Sequence, residues 1–312
     1  MEIVHEGRGR PELLEGSVVT IGFFDGVHLG HQALLADLRQ LAAELRCPAV
    51  VATFDRHPAS VVRPESAPRL LTDFSQRTEL FAGAGVDVTY VIHFDEERSL
   101  QPPEQFAREV MADGLRARVV LVGQDFHYGR RRRGDVASLA ELGAVQGFKV
   151  VGRARLESDE LGEAVSSTAI REALAGGDVT LAARLLGRTY EAHGIVELGD
   201  RRGRTIGFPT ANLAMSGDMM LPGDGVYAGW YRRPSGDVHR AAINIGRRPT
   251  FYEENGLRLL EAHLLDFDDD LYGESARVQV ETRLRGEIRF ESVDALVAQL
   301  HRDVATVRSL TS

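Results

Sequence analysis

Through the first part of the chain, short apolar runs rich in β-branched residues alternate with amphipathic stretches. Val18, Val19 and Ile21, closed by Gly22, predict a buried strand. From Gln32 onward Leu34, Leu38, Leu41 and Leu45 recur every three or four positions, the apolar stripe of a helix lying on a sheet. The alternation continues with strands over 49–54, 88–94, 118–123 and 148–157, and with helical patterns near 75–84 and over 103–113. A last helical run over 170–187 stops at Gly187. Strands alternating with helices predict an α/β fold, a parallel sheet with helices on both faces.

Beyond Gly187 the texture changes to strands punctuated by turns, over 190–197, 226–233, 238–246, 258–266 and 276–290. Residues 232–237 read as a hairpin connection. Such a series predicts a small antiparallel β-barrel. Ser292 caps a final helix whose Val293, Val297, Leu300, Val304 and Val307 share one face. Two separately folding domains are expected, 1–187 and 188–312.

Bulk composition narrows the functional classes. A chain of 312 residues can bury two cores. A net charge of −9 argues against a general nucleic-acid or membrane-surface binder. Cys47 is the only cysteine, which excludes an intrachain disulfide and a cysteine zinc cluster. No apolar run approaches the roughly 18 residues of a membrane span. The N-terminal stretch lacks the charged-then-apolar pattern of a secretion signal, so a cytoplasmic protein is expected.

Polar and glycine-rich residues gather where the first-half strands end: His28 and His31, Asp55 and His57, Asp125 to Arg133, and Ser166 to Arg171. Ligands of open α/β sheets bind on that edge. Gly22, Gly26 and Gly30 let backbone approach a ligand closely, and a helix N-terminus beside two imidazoles attracts phosphate.

Residues 22–31, GFFDGVHLGH, resemble the HxGH signature of nucleotidyltransferases. The flanking GxFDGVHxGH form is similar to that of the bacterial FAD synthetases, the bifunctional riboflavin kinase/FMN adenylyltransferases. The resemblance implies a Rossmann-like nucleotidyltransferase domain followed by a riboflavin kinase barrel with a C-terminal helix. It implies that His28 and His31 act on phosphates, and that Gly22, Phe23, Asp25 and Gly30 line ATP. TFDRHP resembles the family's TFxPHP segment, with Arg56 in place of proline, which puts Asp55 and His57 beside the flavin. GQDFHYG resembles the flavin loop GxDFxFG: Asp125, Phe126 and Gly129 match, and Tyr128 replaces phenylalanine. Arg130 to Arg133 then read as phosphate contacts rather than a solvated charge run. VSSTAIR resembles ISSTxIR, so Ser166, Ser167, Thr168 and Arg171 hold ATP phosphates during transfer.

In the second half, GFPTAN at 207–212 matches the riboflavin kinase signature. On residue types alone it reads as a turn. With the resemblance, Gly207 meets ATP, and Thr210 and Asn212 offer oxygens to Mg²⁺ held with ATP phosphates. PGDGVYAG, INIGRRPTF and LEAHLLDFDDDLYG are similar to successive riboflavin kinase segments. They assign Asn244 to the flavin and make Glu261 the general base for the ribityl 5′-hydroxyl. Asp268 to Asp270 lack calcium-loop spacing and read as a polar turn. The implied chemistry takes riboflavin and ATP to FMN, then FMN and ATP to FAD and pyrophosphate. Flavin is both substrate and product. Two rivals stand: a nucleotidyltransferase for another phosphate acceptor, and a flavin-binding regulator without turnover.

Overall fold

The computed structural model describes residues 1–7, 16–154, 157–158, 163–199, 202–247 and 258–310. Contacts divide the chain into two compact units, Met1–Ser166 and Ser167–Ser312.

The first unit carries strands β1 (Glu2–His5), β2 (Ser17–Ile21), β3 (Ala49–Phe54), β4 (Val88–Ile92), β5 (Ala117–Gly123) and β6 (Lys149–Arg153). They form one six-stranded sheet in the order β1-β4-β3-β2-β5-β6. Every pairing in it is parallel. The intervening helices are α1 (Leu29–Leu45), α2 (Pro58–Val62), α3 (Phe74–Gly83), α4 (Glu96–Ser99), α5 (Pro103–Phe106) and α6 (Val136–Gln146). A π-helical segment, Ala107–Gly114, prolongs α5 where one continuous helix was expected. Alternate strand residues face opposite ways. Val18, Val51 and Leu121 pack with Leu35 and Leu38 of α1 and Phe81 of α3. Val19, Val50 and Val120 pack with Met111, Leu115 and Leu139 on the other side. A sheet buried on both faces requires the near-continuous apolar runs that mark these strands.

Two strand limits differ from expectation. β1, too short to carry a periodic signal, adds an edge beside β4. β6 ends at Arg153, and the two-residue strands β7 (Glu157–Ser158) and β8 (Glu163–Ala164) pair separately. Positions 155 and 156 of the expected strand lie outside the described residues.

Strand order matters for the site. β3 and β4 are laid down on one side of β2, and β5 and β6 on the other. The chain therefore reverses direction between β2 and β5, and the loops leaving those two strands flank the switch point where such sheets bind ligands.

The second unit opens with α7 (Ser167–Ala175) and α8 (Val179–Leu186), two helices where one run was expected. The break falls at Gly176 and Gly177, the latter at φ 77°. α8 packs against strands of the following barrel, and Gly223 N–H donates to the Leu174 carbonyl of α7 at 2.7 Å. These contacts explain why 167–186 group with the second unit, ahead of the expected division at Gly187. The barrel strands are β9 (Tyr190–Glu197), β10 (Ala211–Ala214), β11 (Gly225–Arg232), β12 (Val238–Arg247), β13 (Arg258–Leu264) and β14 (Ser275–Arg285). They close in the order β10-β13-β12-β11-β14-β9. Leu213, Tyr227, Ile243, Leu260, Ala262 and Val278 fill the interior. β10 begins inside the stretch read as a turn, and β14 stops at Arg285 rather than 290. A short helix, α9 (Arg202–Thr205), precedes β10, and α10 (Val293–Ser309) closes the chain with Ser292 as its cap.

Candidate functional sites

The turn after β2 bears the first site. Phe24 and Val27 sit at φ 56° and 38°, left-handed conformations that a β-branched residue adopts only under constraint. The surroundings impose it. Asp25 is buried, and its carboxylate accepts from Leu71 N–H at 3.0 Å and Thr72 N–H at 3.1 Å. Gly26 N–H donates to Thr72 Oγ1 at 3.0 Å. Asp25 thus shapes the loop from within. Gly22 follows β2, and Phe23 lies beneath the guanidinium of Arg77, 3.9 Å from the ring centroid.

His28 and His31 meet directly. Helix α1 starts at Leu29, earlier than Gln32, because the His28 Nδ1 accepts from His31 N–H at 3.4 Å and caps it. The two rings stack with centroids 3.6 Å apart and planes at 19°. Gly30 allows this, since a Cβ there would stand 3.2 Å from the His28 ring. The Phe24 ring meets His31 edge-on at 5.1 Å. The His31 Nδ1 is shut from solvent with no hydrogen-bond partner among the described residues. Burial, with His28 adding to it, holds the His31 imidazole well below its ordinary pKa, so the ring is neutral near pH 7. A neutral imidazole with an unpaired buried nitrogen is suited to hydrogen bonding with a ligand oxygen.

At the end of β3, Asp55 accepts from Phe94 N–H at 3.0 Å and lies 2.8 Å from His93 Nδ1. Burial pushes its pKa up, but hydrogen bonds from Arg56, Phe94 and His93 outweigh it and leave the carboxylate below its usual range. His57 caps α2 by accepting from Ala59 N–H at 3.1 Å, and its ring stands edge-on to Phe23 at 4.6 Å. Phe23 therefore joins the loops that follow β2 and β3.

The loop after β5 behaves differently from expectation at one position. Asp125 is exposed and Phe126 half-buried, but Tyr128 belongs to the sheet's core. Its ring stacks on Phe126 at 5.5 Å, and burial pushes its phenol up to about 12. The tyrosine that replaces phenylalanine thus gives Phe126 a buried support. Tyr128 and Gly134 exchange backbone hydrogen bonds at 3.0 Å and close the loop that displays Arg130 to Arg133, all exposed.

Ser166 ends the first unit. Ser167 and Thr168 open α7 in the second, with Arg171 on the next turn.

The second site is written across the barrel. Glu197, Asn212, Glu261, Asn244, Val226 and Arg285 occupy facing positions on β9, β10, β13, β12, β11 and β14. Asn212, Glu261 and Asn244 alternate with interior residues and so project outward. The Asn244 Nδ2 donates to Glu261 Oε2 at 3.2 Å. A cleft of about 1260 Å³ covers this face, lined among others by Thr210, Asn212, Asn244, Glu261, Phe267 and Arg285. Arg285 binds Asp303 of α10 at 2.7 Å, and Gln299 donates to the same carboxylate at 2.8 Å. Phe208 anchors the preceding segment between His263 and His301, at 5.3 and 5.0 Å. Gly207 adopts φ 85° just before it.

The donor set near Thr210 and Asn212 fits a hard cation. Both offer neutral oxygens, and no cluster of three His, Cys, Asp or Glu side chains fit for a metal occurs among the described residues. Such a set suits an ion held mainly by the phosphates it accompanies. Gly199 passes so close to Asn212 that a Cβ would stand 2.3 Å from Nδ2.

Family comparisons agree with this division of labour. The FAD synthetase family matches residues 10–169, and the riboflavin kinase family matches residues 186–311. A bifunctional riboflavin kinase/FMN adenylyltransferase from Haemophilus influenzae is 38% identical over 99% of both chains. One from Pseudomonas fluorescens is 41% identical over 97% of this chain and 95% of its own. The chain belongs to the bifunctional riboflavin kinase/FMN adenylyltransferases. It phosphorylates riboflavin to FMN and adenylylates FMN to FAD, which sets aside both rivals. A solved structure from Streptococcus pneumoniae, named as a macrolide-efflux protein, aligns over 99% of both chains with TM-score 0.86 at 30% identity. No helix among the described residues is long and apolar enough to cross a membrane.

Some members of these sites carry no sequence signal. Arg77 is one position in an ordinary amphipathic helix, and only the fold brings it over Phe23. The Arg285–Asp303 pair joins positions that no local pattern links. The part of INIGRRPTF from 248 onward lies outside the described residues.

Proposed function

We propose that riboflavin is phosphorylated on the outer face of the barrel with Glu261 as general base. The observation that carries this reading is the row Asn212–Glu261–Asn244 at the floor of the cleft. Asn244 occupies one carboxylate oxygen and leaves the other to take the proton of the ribityl 5′-hydroxyl. The 5′-oxygen of the ribityl chain then attacks the γ-phosphate of ATP, and ADP leaves. An alcohol requires this help at neutral pH. Thr210 and Asn212 would hold Mg²⁺, which neutralises phosphate charge. Gly207 belongs to the ATP side.

For the second step, an FMN phosphate oxygen attacks the α-phosphate of ATP and pyrophosphate leaves. The phosphate is already ionised, so this step rests on positioning and charge neutralisation. His28 and His31 donate to the phosphates, and Ser166, Ser167, Thr168 and Arg171 hold the ATP. Asp55, His57, Asp125 and Phe126 line the flavin. Both steps are assigned to the cytoplasm.

Chromatography of riboflavin, FMN and FAD, with ATP and with or without Mg²⁺, tests this reading. Successive appearance of FMN and FAD only with the metal supports it. Undiminished FMN formation under chelation would remove the metal role from Thr210 and Asn212.

A further inference from the structure

We propose that Arg77 is a positioning residue for adenylyl transfer, fixing the backbone from which the His28–His31 pair is set. The inference rests on the reading that this pair acts on phosphates. Arg77 is 2% exposed, and a buried guanidinium is costly unless the site demands it. Its Nη1 donates to the Phe23 carbonyl at 2.8 Å, and its Nη2 to the Phe54 carbonyl at 3.3 Å. Thr53 Oγ1 donates to the same Phe23 oxygen at 3.3 Å. The guanidinium plane also covers the Phe23 ring. One side chain therefore ties the end of β3 to the first residues after β2.

The consequence runs through the next residue. With the Phe23 carbonyl held, Phe24 takes its left-handed conformation and sends its ring to His31 on one side and Phe81, at 5.7 Å, on the other. α3, which carries Arg77, is itself fixed by a reciprocal cap. Asp73 accepts from Gln76 N–H at 2.7 Å, and Gln76 accepts from Asp73 N–H at 2.9 Å. Burial lowers the Arg77 pKa to about 10, while Asp25, Asp73 and Asp55 favour its charged form. The group stays cationic at neutral pH. An apolar side chain would fill the same space with less desolvation cost, yet it could not hold two carbonyls at once.

The full-length variants R77K and R77M test this, with H31A beside them. R77K keeps a charge but loses the planar fork; R77M keeps the volume and loses every donor. Both should form FAD from FMN about 10–100-fold more slowly in kcat, since small misplacements of reacting groups cost about that much. KM for FMN should change less than about threefold, and riboflavin phosphorylation should be unchanged. The imidazole NMR signals of His31 should shift in both. R77M leaves the Phe23 and Phe54 carbonyls without the Arg77 donors, so it should melt below the parent while keeping one cooperative transition. A parental rate of FAD formation in R77M, or unmoved His31 signals, overturns the proposal. So does a loss of FAD formation that comes only with loss of the melting transition. If H31A itself forms FAD normally, the reading of the histidine site fails instead.

Discussion

Asn244 and Glu261 face each other on neighbouring barrel strands, and the amide of one donates to the carboxylate of the other at 3.2 Å. A neutral donor in that place orients the carboxylate without cancelling its charge. Direct register across the strands makes this a property of the fold rather than of a mobile loop.

Glu261→Gln keeps shape and hydrogen bonding but removes the base. FMN formation should fall about 10²–10⁴-fold, the usual worth of a general base. FAD formation from supplied FMN should continue at the parental rate, and separate assays of the two steps decide it. An equal loss of both would make Glu261 structural.

Thr210→Val and Asn212→Leu remove the oxygens assigned to the cation. Each should raise the Mg²⁺ concentration needed for half-maximal FMN formation by about tenfold or more, the cost of losing one charge-assisted contact. The Mg²⁺ dependence of FAD formation should not move. Titrating both reactions with the metal in one preparation makes the comparison, and a parallel shift of both would speak against two separate cation sites.

What the sequence made legible follows from the range of each interaction. Val18, Val19 and Ile21 announce their strand because burial on both faces forces an apolar run. GFFDGVHLGH announces its turn because each glycine and histidine answers a local demand. The strand that carries Asn212 was not legible in GFPTAN, since a four-residue strand in a closed barrel needs only partners distant in sequence. The burial of Tyr128 was not legible, because nothing local tells that Phe106, Phe126 and Gly134 surround it. Arg77 was invisible for the same reason: its partners are 23 and 54 positions away.

The division at Ser166 predicts how the kinase half can be isolated. Val179, Ala182, Leu185 and Leu186 of α8 are buried, and Arg283 of β14 donates to the Gly176 carbonyl at 3.2 Å. A piece starting at Arg188 exposes the apolar surface those residues cover, at about 1.5–3 kcal/mol for each large side chain. Residues 167–312 should therefore melt well above 188–312 and phosphorylate riboflavin at the parental rate. Neither piece should make FAD. Calorimetry of the two pieces settles the point, and equal melting midpoints would return the boundary to Gly187.

The stacked histidines make the last prediction. A preorganised hydrogen-bond donor is worth about 3–4 kcal/mol in a transition state, about 10²–10³ in rate. His28→Ala and His31→Ala should each slow FAD formation by that factor and leave riboflavin phosphorylation intact, so that FMN accumulates. The defect should lie in kcat rather than in KM for FMN, since the flavin ring is assigned to the loops after β3 and β5. Acid adds an independent check. The folded-state pKa of His31 is depressed by burial and by His28, whereas the unfolded chain titrates near the ordinary value of about 6.5. Below that value the unfolded state binds the proton that the folded state refuses, so stability is complete above about pH 6.5 and declines as pH falls toward the folded pKa. The melting midpoint of the first unit should accordingly drop between pH 7 and pH 5.5, and His31→Gln, which cannot take a proton, should flatten that drop. A variant whose midpoint follows the parent through the whole range would mean that His31 titrates freely, and with that the enclosed, neutral imidazole would lose its place in the transfer site.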